Sequence, residues 1–168
     1  MTTMSGKTLW APPPPGGYSP VPSDLLRTFL GSIPPAAVAN TSVAEWDAFF
    51  SQFPKSVREY AAKPFYISSM KGDTGQQAAA LARDPEWEVR WWVAANVTTP
   101  THVLETLLHD PSHSVHGEAI RNPGCTAALL HRVLEEDNDE TCREDARAVI
   151  ADRAAEEAKN ERTKDGSG

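Results

Sequence analysis

The sequence predicts an all-α fold, a small α-solenoid of stacked two-helix repeats that follows a disordered, proline-rich tail. Two observations support this fold class. Apolar residues recur at helical spacing over most of residues 23–157. A five-residue block recurs after 26 positions, and periods of 20–50 residues are typical of stacked supersecondary units. We expect about three clear units and one degenerate unit.

The first 22 residues form the predicted tail. They contain the unbroken run Pro12 to Pro15, followed by Gly16, Gly17, Pro20 and Pro22. This composition opposes both helix and sheet and favours coil or polyproline II. An alternative is a proline-rich ligand for an aromatic-lined groove of another protein.

Two helices are predicted before the repeats begin. The first begins at Ser23 and carries an apolar stripe of leucine and phenylalanine. The second begins after a capping box, in which Ser42 and Glu45 satisfy each other's backbone N–H groups, and it ends before Pro54.

The repeat is visible when the chain is compared with itself. Residues 81–85 (Leu-Ala-Arg-Asp-Pro) match residues 107–111 (Leu-Leu-His-Asp-Pro), a spacing of 26. In a third unit the frame slips by one residue, so that Cys142 falls at the position of Val115. A degenerate unit over 43–64 precedes these three.

Each clear unit is predicted to be a hairpin of two helices, A and B. Asp84-Pro85 and Asp110-Pro111 place a capping carboxylate before a proline at the first position of helix B. Thr99-Pro100 begins a helix A in the same way. Helix A is predicted near 74–83, 100–109 and 125–135, and helix B near 86–95, 112–121 and 139–157. One hairpin cannot bury its apolar face alone, so the units must stack. The predicted domains are the tail 1–22, a repeat domain 23–157 with clear repeats over about 74–150, and a frayed polar tail 158–168.

The first clear unit carries a specific resemblance. Residues 81–85, Val89-Arg90, 93–96 and 98–100 resemble the leucine-rich repeat variant, a bacterial family of short helical repeats similar to HEAT and armadillo solenoids. The resemblance extends over about 74–134, with His116 at the position of Arg90. It implies a right-handed solenoid that binds other macromolecules. Some members have an iron–sulfur domain with a cysteine cluster, but this chain has no cysteine before Cys125, so we expect no such cofactor.

Composition narrows the class of partner. The 168 residues carry 23 acidic and 16 basic side chains, for a net charge of −7, and most of the excess acidity follows residue 134. Proteins that bind duplexes normally offer excess Lys and Arg to phosphates, so this charge balance argues against nucleic acid as the partner. No apolar segment approaches the ~20 residues that span a bilayer, and no signal peptide is evident, so we expect a cytoplasmic protein without membrane contact. The two cysteines are expected to be small buried hydrophobic residues.

A partner-binding strip is predicted along one face of the solenoid. Trp92 occupies a repeat position that holds Glu118 and Asp145 in the next two units, so it should face water and anchor a partner. Trp87 and Trp91 have core packing as an alternative role. The predicted strip comprises Trp87, Arg90, Trp91, Trp92, His113, His116, Glu118, Arg121 and Asp145, with the two histidines as exposed, pH-sensitive members.

No metal site or cofactor is predicted. The spacing of His109, His113 and His116 would suit a metal on one helix, but Pro111 interrupts that helix. The acidic segment 135–140 lacks the glycine and distal glutamate of an EF-hand loop. We interpret it as a solvated junction in which Asp139 caps the following helix.

The sequence therefore predicts a noncatalytic scaffold or adaptor of bacterial or phage origin that binds a protein partner. It contains no phosphate loop or nucleophile elbow, and we expect no enzymatic activity. One alternative is a DNA-binding or DNA-repair protein that sets Trp92 and Arg90 against an extruded base. Another is a structural subunit of a phage or bacterial assembly, in which case the chain would self-associate.

Overall fold

The computed structural model of the chain describes residues 20–33, 41–63 and 74–165. Within these residues the chain forms nine α-helices and contains no strand. The helices are α1 (Ser23–Ser32), α2 (Val43–Phe50), α3 (Lys55–Ala62), α4 (Thr74–Leu81), α5 (Trp87–Ala95), α6 (Thr101–Leu107), α7 (His113–Arg121), α8 (Ala127–Glu136) and α9 (Glu140–Asp165). Almost all of the predicted tail, residues 1–19, lies outside the described residues.

The helices pack as a stack of hairpins, which confirms the predicted all-α repeat fold. Helices α3, α5, α7 and α9 form one row, in which each packs against the next. Helices α2, α4 and α6 follow one another in a second row, and α4, α6 and α8 each pack against the helix that follows them. The first row corresponds to the predicted helix B and the second to helix A. Every helix boundary in the clear repeats falls within a few residues of its predicted position, except the end of α9, which runs to Asp165.

A continuous apolar core runs through the stack between the two rows. Its N-terminal end is aromatic, where the Trp46 ring stacks on Phe50 with centroids 5.5 Å apart and Phe29 packs beside them. Further along, each unit contributes a small residue and a β-branched or leucine side chain, among them Val89, Val93, Leu104, Val115, Ile120, Leu130 and Ala146. Both cysteines are buried free thiols, as predicted.

Helices α5 and α7 begin later than predicted. Asp84 and Asp110 do not act as N-caps, since both helices begin two residues after the prolines. Instead, each carboxylate accepts a hydrogen bond from the backbone N–H two residues on, that of Glu86 at 2.9 Å and that of Ser112 at 2.8 Å. The Asp-Pro pairs therefore form side-chain turns that lead into helix B. Their carboxylates remain available to a neighbouring repeat.

Polar side chains secure the other turns. The capping box of Ser42 and Glu45 is present as predicted. Thr99 does not cap α6, because its hydroxyl donates instead to the carbonyl of Val93 at 2.7 Å. The buried amide of Asn122 crosses to the preceding unit, where it donates to the carbonyls of Ala94 at 2.6 Å and Asn96 at 2.9 Å.

Candidate functional site

Successive repeats are joined by a ladder of ion pairs between helix B of one unit and the Asp-Pro turn of the next. Arg58 binds Asp84 through Nε to Oδ2 at 2.6 Å and Nη2 to Oδ1 at 3.2 Å. Arg90 binds Asp110 in the same way, at 2.6 and 3.0 Å. Both pairs are bidentate and largely buried, a geometry that fixes register as well as adding attraction.

Each ladder arginine also stabilises the turn of its own unit. Nη1 of Arg90 donates to the carbonyl of Asp84 at 2.7 Å, and Nη1 of Arg58 donates to the carbonyl of Phe53 at 2.8 Å. The hydrogen bonds that Arg90 donates to the Asp110 carboxylate raise the pKa of Arg90. Arg90 was predicted to belong to a partner surface, but its guanidinium is engaged on both sides within the protein.

His116 replaces the arginine on the third rung of the ladder. Its Nε2 lies 3.0 Å from Oδ2 of Asp137, but the two groups are not aligned for a hydrogen bond. Burial lowers the pKa of His116, and the carboxylate of Asp137 opposes that shift. The prediction that His116 is exposed is therefore wrong. The repeat pattern did indicate that His116 takes the place of the ladder arginine, because His116 lies one repeat of 26 residues after Arg90.

The two tryptophans at the centre of the predicted strip are buried. Trp91 and Trp92 are each 5% exposed and pack edge to face, with ring centroids 5.0 Å apart. The Nζ of Lys63 lies 5.0 Å from the Trp92 ring centroid, and burial lowers the pKa of this lysine.

The prediction of an exposed Trp92 fails because its repeat position does not face open water. Glu118, which shares that position in the next unit, is only partly exposed, and burial raises its pKa. A charged residue at this repeat position is therefore compatible with the edge of the core, and it does not indicate a position that faces open water. Trp87 is also partly buried and packs against the core.

The other predicted strip residues gather on α7 and α9. Arg121 is exposed and pairs with Asp145 of the next unit at 2.5 Å. Gly117 makes room for this pair, since a Cβ atom there would lie 3.3 Å from Nη1 of Arg121 and 3.4 Å from Oδ2 of Asp145. His113 is exposed at the start of α7, and its Nδ1 lies 3.1 Å from Oδ2 of Asp139. The predicted strip is thus divided into buried, ladder and surface residues.

A cleft that the sequence did not predict opens between α6 and α8. Its volume is about 400 Å³. Leu108, Leu129 and Val133 provide its apolar lining. The polar lining residues are Glu105, His109, Asp110, His116, Arg132, Glu136, Asp137, Asn138 and Asp139. Helical periodicity predicts that these apolar residues face the core. It does not show where two neighbouring helices separate, so it could not predict the cleft.

The rim of the cleft is acidic. Arg132, the arginine among the described lining residues, pairs with Glu105 at 2.5 Å and lies 3.8 Å from Glu136. Glu105 and Arg132 are each 45% exposed, so water screens their pairing and leaves both side chains able to rearrange. The cleft therefore combines an apolar floor with a surplus of carboxylates.

Potential metal ligands also meet beside this cleft. His113, Asp139 and Cys142 form one group, and His116, Asp137 and Cys142 form another. Within each group the candidate ligand atoms lie within 4.8 Å of one another. The sequence predicted no metal site from His109, His113 and His116, and the cysteine and the two aspartates of these groups lie one repeat further along the chain.

Comparison with known proteins supports the repeat alone. No curated protein and no solved structure matches the chain. Among the described residues, no helix is both long enough and apolar enough to cross a membrane. Residues 87–112 match the family model of the leucine rich repeat variant, and this match runs from the start of α5 to the turn before α7. The resemblance seen in the sequence is therefore confirmed for one full repeat.

Proposed function

We propose that this protein is a noncatalytic interaction module that binds a segment of a protein partner in the cleft between α6 and α8. The observation that carries this proposal is the combination of an apolar floor and an acidic rim in an open cleft of about 400 Å³. The match to a repeat family supports it, because stacked repeats present extended surfaces that many proteins use for binding.

The lining specifies the chemistry of the partner segment. Leu108, Leu129 and Val133 favour one or two apolar side chains, because their contact with the floor removes apolar surface from water. Glu105 and Glu136 favour lysine or arginine on either side of that apolar anchor, since complementary charge steers association and fixes register. The net charge of −7 favours a basic partner as well.

The same features weigh against the DNA-binding alternative. That alternative requires Trp92 and Arg90 at the surface, whereas Trp92 is buried and Arg90 is held by Asp110. An acidic rim would also repel phosphates. We therefore keep a protein segment as the proposed ligand.

The proposal is tested by selecting peptides from a random display library and measuring their affinity for the full chain by fluorescence anisotropy. We expect enrichment of sequences with an apolar residue flanked by Lys or Arg, and weaker binding as salt rises. The double variant Glu105→Lys and Glu136→Lys should weaken binding by about tenfold or more, since it reverses the charge of the rim.

A matched control makes the same charge change away from the cleft. Glu157 and Glu161 are exposed on the distal part of α9, and Glu157→Lys with Glu161→Lys should leave the affinity nearly unchanged. Equal losses in the two double variants would show only a response to net charge. That result, or a library that yields no basic and apolar sequences, would contradict the proposal.

A further inference from the structure

Two pairs of side chains with metal-ligand chemistry face each other where the last two helices of the B row begin. His113 and His116 lie on the first turn of α7. Asp139 and Cys142 lie at the start of α9, each 26 residues after one of the histidines. Within each pair the two residues are three positions apart, which places both on one face of the helix start.

Three of these atoms suit one metal ion, since Nδ1 of His113, Oδ2 of Asp139 and Sγ of Cys142 all lie within 4.8 Å of one another. Nδ1 of His113 lies 3.1 Å from Oδ2 of Asp139 and 3.7 Å from Sγ of Cys142. Nδ1 of His116 lies 3.3 Å from the same sulfur. Zinc bonds of about 2.0–2.3 Å to nitrogen, oxygen and sulfur give ligand-to-ligand edges of about 3.3–3.6 Å.

The hydrogen bonds within the group cannot satisfy all its members. The single proton of the Cys142 thiol can serve only one of the two imidazole nitrogens that approach the sulfur. His116 is 8% exposed, and its Nε2 has no hydrogen-bond partner although Asp137 lies 3.0 Å away. Buried polar groups normally have such partners, so this group requires an explanation.

We propose that a divalent cation of the zinc type binds between α7 and α9 through Nδ1 of His113, Oδ2 of Asp139 and Sγ of Cys142, with water as its fourth ligand. Nδ1–H of His116, 3.3 Å from the sulfur, then donates a hydrogen bond to the metal-bound thiolate. Hydrogen bonds to the ligands of a metal orient those ligands and are a common feature of metal sites. The ion joins consecutive repeats at the place where His116 has replaced the ladder arginine.

Local charge supports a cation here, because the carboxylates of Asp137 and Asp139 lie beside the two histidines. Binding of the cation releases the thiol proton of Cys142 to solvent and forms the metal–thiolate bond. Two carboxylates and one thiolate then surround the double positive charge. The nearby guanidinium of Arg143 is paired with Glu140 and does not oppose it.

The preceding interface of the stack lacks this chemistry. Trp87 and Arg90 occupy the positions of His113 and His116, and Val115 occupies the position of Cys142. Replacing Cys142 by valine therefore installs the side chain that the same core position already has in the preceding unit, where Val115 is fully buried. This provides a variant that removes the sulfur and keeps the packing.

The test is a titration of the full chain, freed of metal by chelator, with Zn²⁺ in competition with a chromophoric chelator. Co²⁺ serves as the spectroscopic probe. We expect one ion per chain and a thiolate-to-cobalt charge-transfer band. Cys142→Val should abolish that band, and both it and His113→Ala should weaken zinc binding by at least about tenfold. Asp139→Asn should weaken it as well, because it replaces the carboxylate ligand by an amide while keeping an oxygen that can accept from the backbone N–H of Thr141.

Matched controls separate this site from general binding by histidine or cysteine. Cys125→Ala changes the other buried thiol, and His131→Ala changes an exposed histidine on α8. Both should bind zinc as the wild type does. The side chain of His113 is 55% exposed, so His113→Ala remains informative if a Cys142 variant fails to fold. Absence of a 1:1 complex, or wild-type affinity in His113→Ala or in folded Cys142→Val, would overturn the proposal. The peptide-binding experiment is run on metal-free protein, so that its result is independent of this one.

Discussion

The ion-pair ladder leads to a sharp prediction about stability. Asp110→Asn removes the charge that faces Arg90, while the amide oxygen can still accept the hydrogen bond from the backbone N–H of Ser112. The turn before α7 is thus preserved. The variant isolates the loss of a buried, bidentate ion pair between two repeats.

The expected cost follows from burial. Side-chain exposure is 13% for Arg90 and 4% for Asp110, so removing the aspartate charge leaves a largely buried guanidinium without its counter-ion. Removing one partner of a buried pair typically costs about 3–5 kcal/mol. Arg90 keeps a hydrogen bond to the carbonyl of Asp84, and for that reason we expect about 3 kcal/mol, the lower end of this range.

Urea unfolding followed by circular dichroism measures this cost. Glu105→Gln serves as the matched control. It neutralises the carboxylate of an exposed ion pair, that between Glu105 on α6 and Arg132 on α8. Exposed pairs contribute about 0–1 kcal/mol. A double-mutant cycle with Arg90→Gln should give a coupling free energy of at least about 1.5 kcal/mol between Arg90 and Asp110. If Asp110→Asn destabilises no more than Glu105→Gln, the ladder does not hold the repeats together.

Three further variants test other parts of the fold by the same unfolding measurement. Trp92→Ala should destabilise the protein by about 3–5 kcal/mol, because it leaves a cavity in the core. If the variant is as stable as the wild type, Trp92 is at the surface, as the repeat pattern predicted. Asn122→Ala should cost about 2 kcal/mol or more, as it removes the side-chain donor to the buried carbonyls of Ala94 and Asn96, the second of which keeps the N–H of Thr99, and no effect would contradict the role of this amide. Ser42→Ala should cost about 1 kcal/mol through loss of the capping box, with a smaller loss in Ser42→Gly.

Much of the fold could be predicted because its signals are local and repeated. The capping box at Ser42 and the apolar spacing of each helix depend on neighbours within a few residues. The 26-residue period then fixes how the hairpins follow one another. The period also related His116 to Arg90 and Cys142 to Val115, which are the substitutions that distinguish the last interface of the stack.

The partner surface could not be predicted because exposure at a repeat position depends on the neighbouring units. Trp92 shares its position with Glu118 and Asp145, yet all three lie at least partly within the stack. The cleft between α6 and α8 arises from the spacing of two helices, which no single helix encodes. The His, Asp and Cys cluster likewise spans two repeats, so a search along one helix face did not find it.

Amide chemical-shift mapping with the tightest selected peptide tests the proposed function most directly. The metal-free, ¹⁵N-labelled full chain is titrated with that peptide, and shifts are assigned along the sequence. We expect a saturable response concentrated at Leu108, Leu129 and Val133, and its loss in the Glu105→Lys and Glu136→Lys double variant. Shifts centred on the distal part of α9, or a response that the double variant leaves unchanged, would contradict the assignment of the cleft as the binding site.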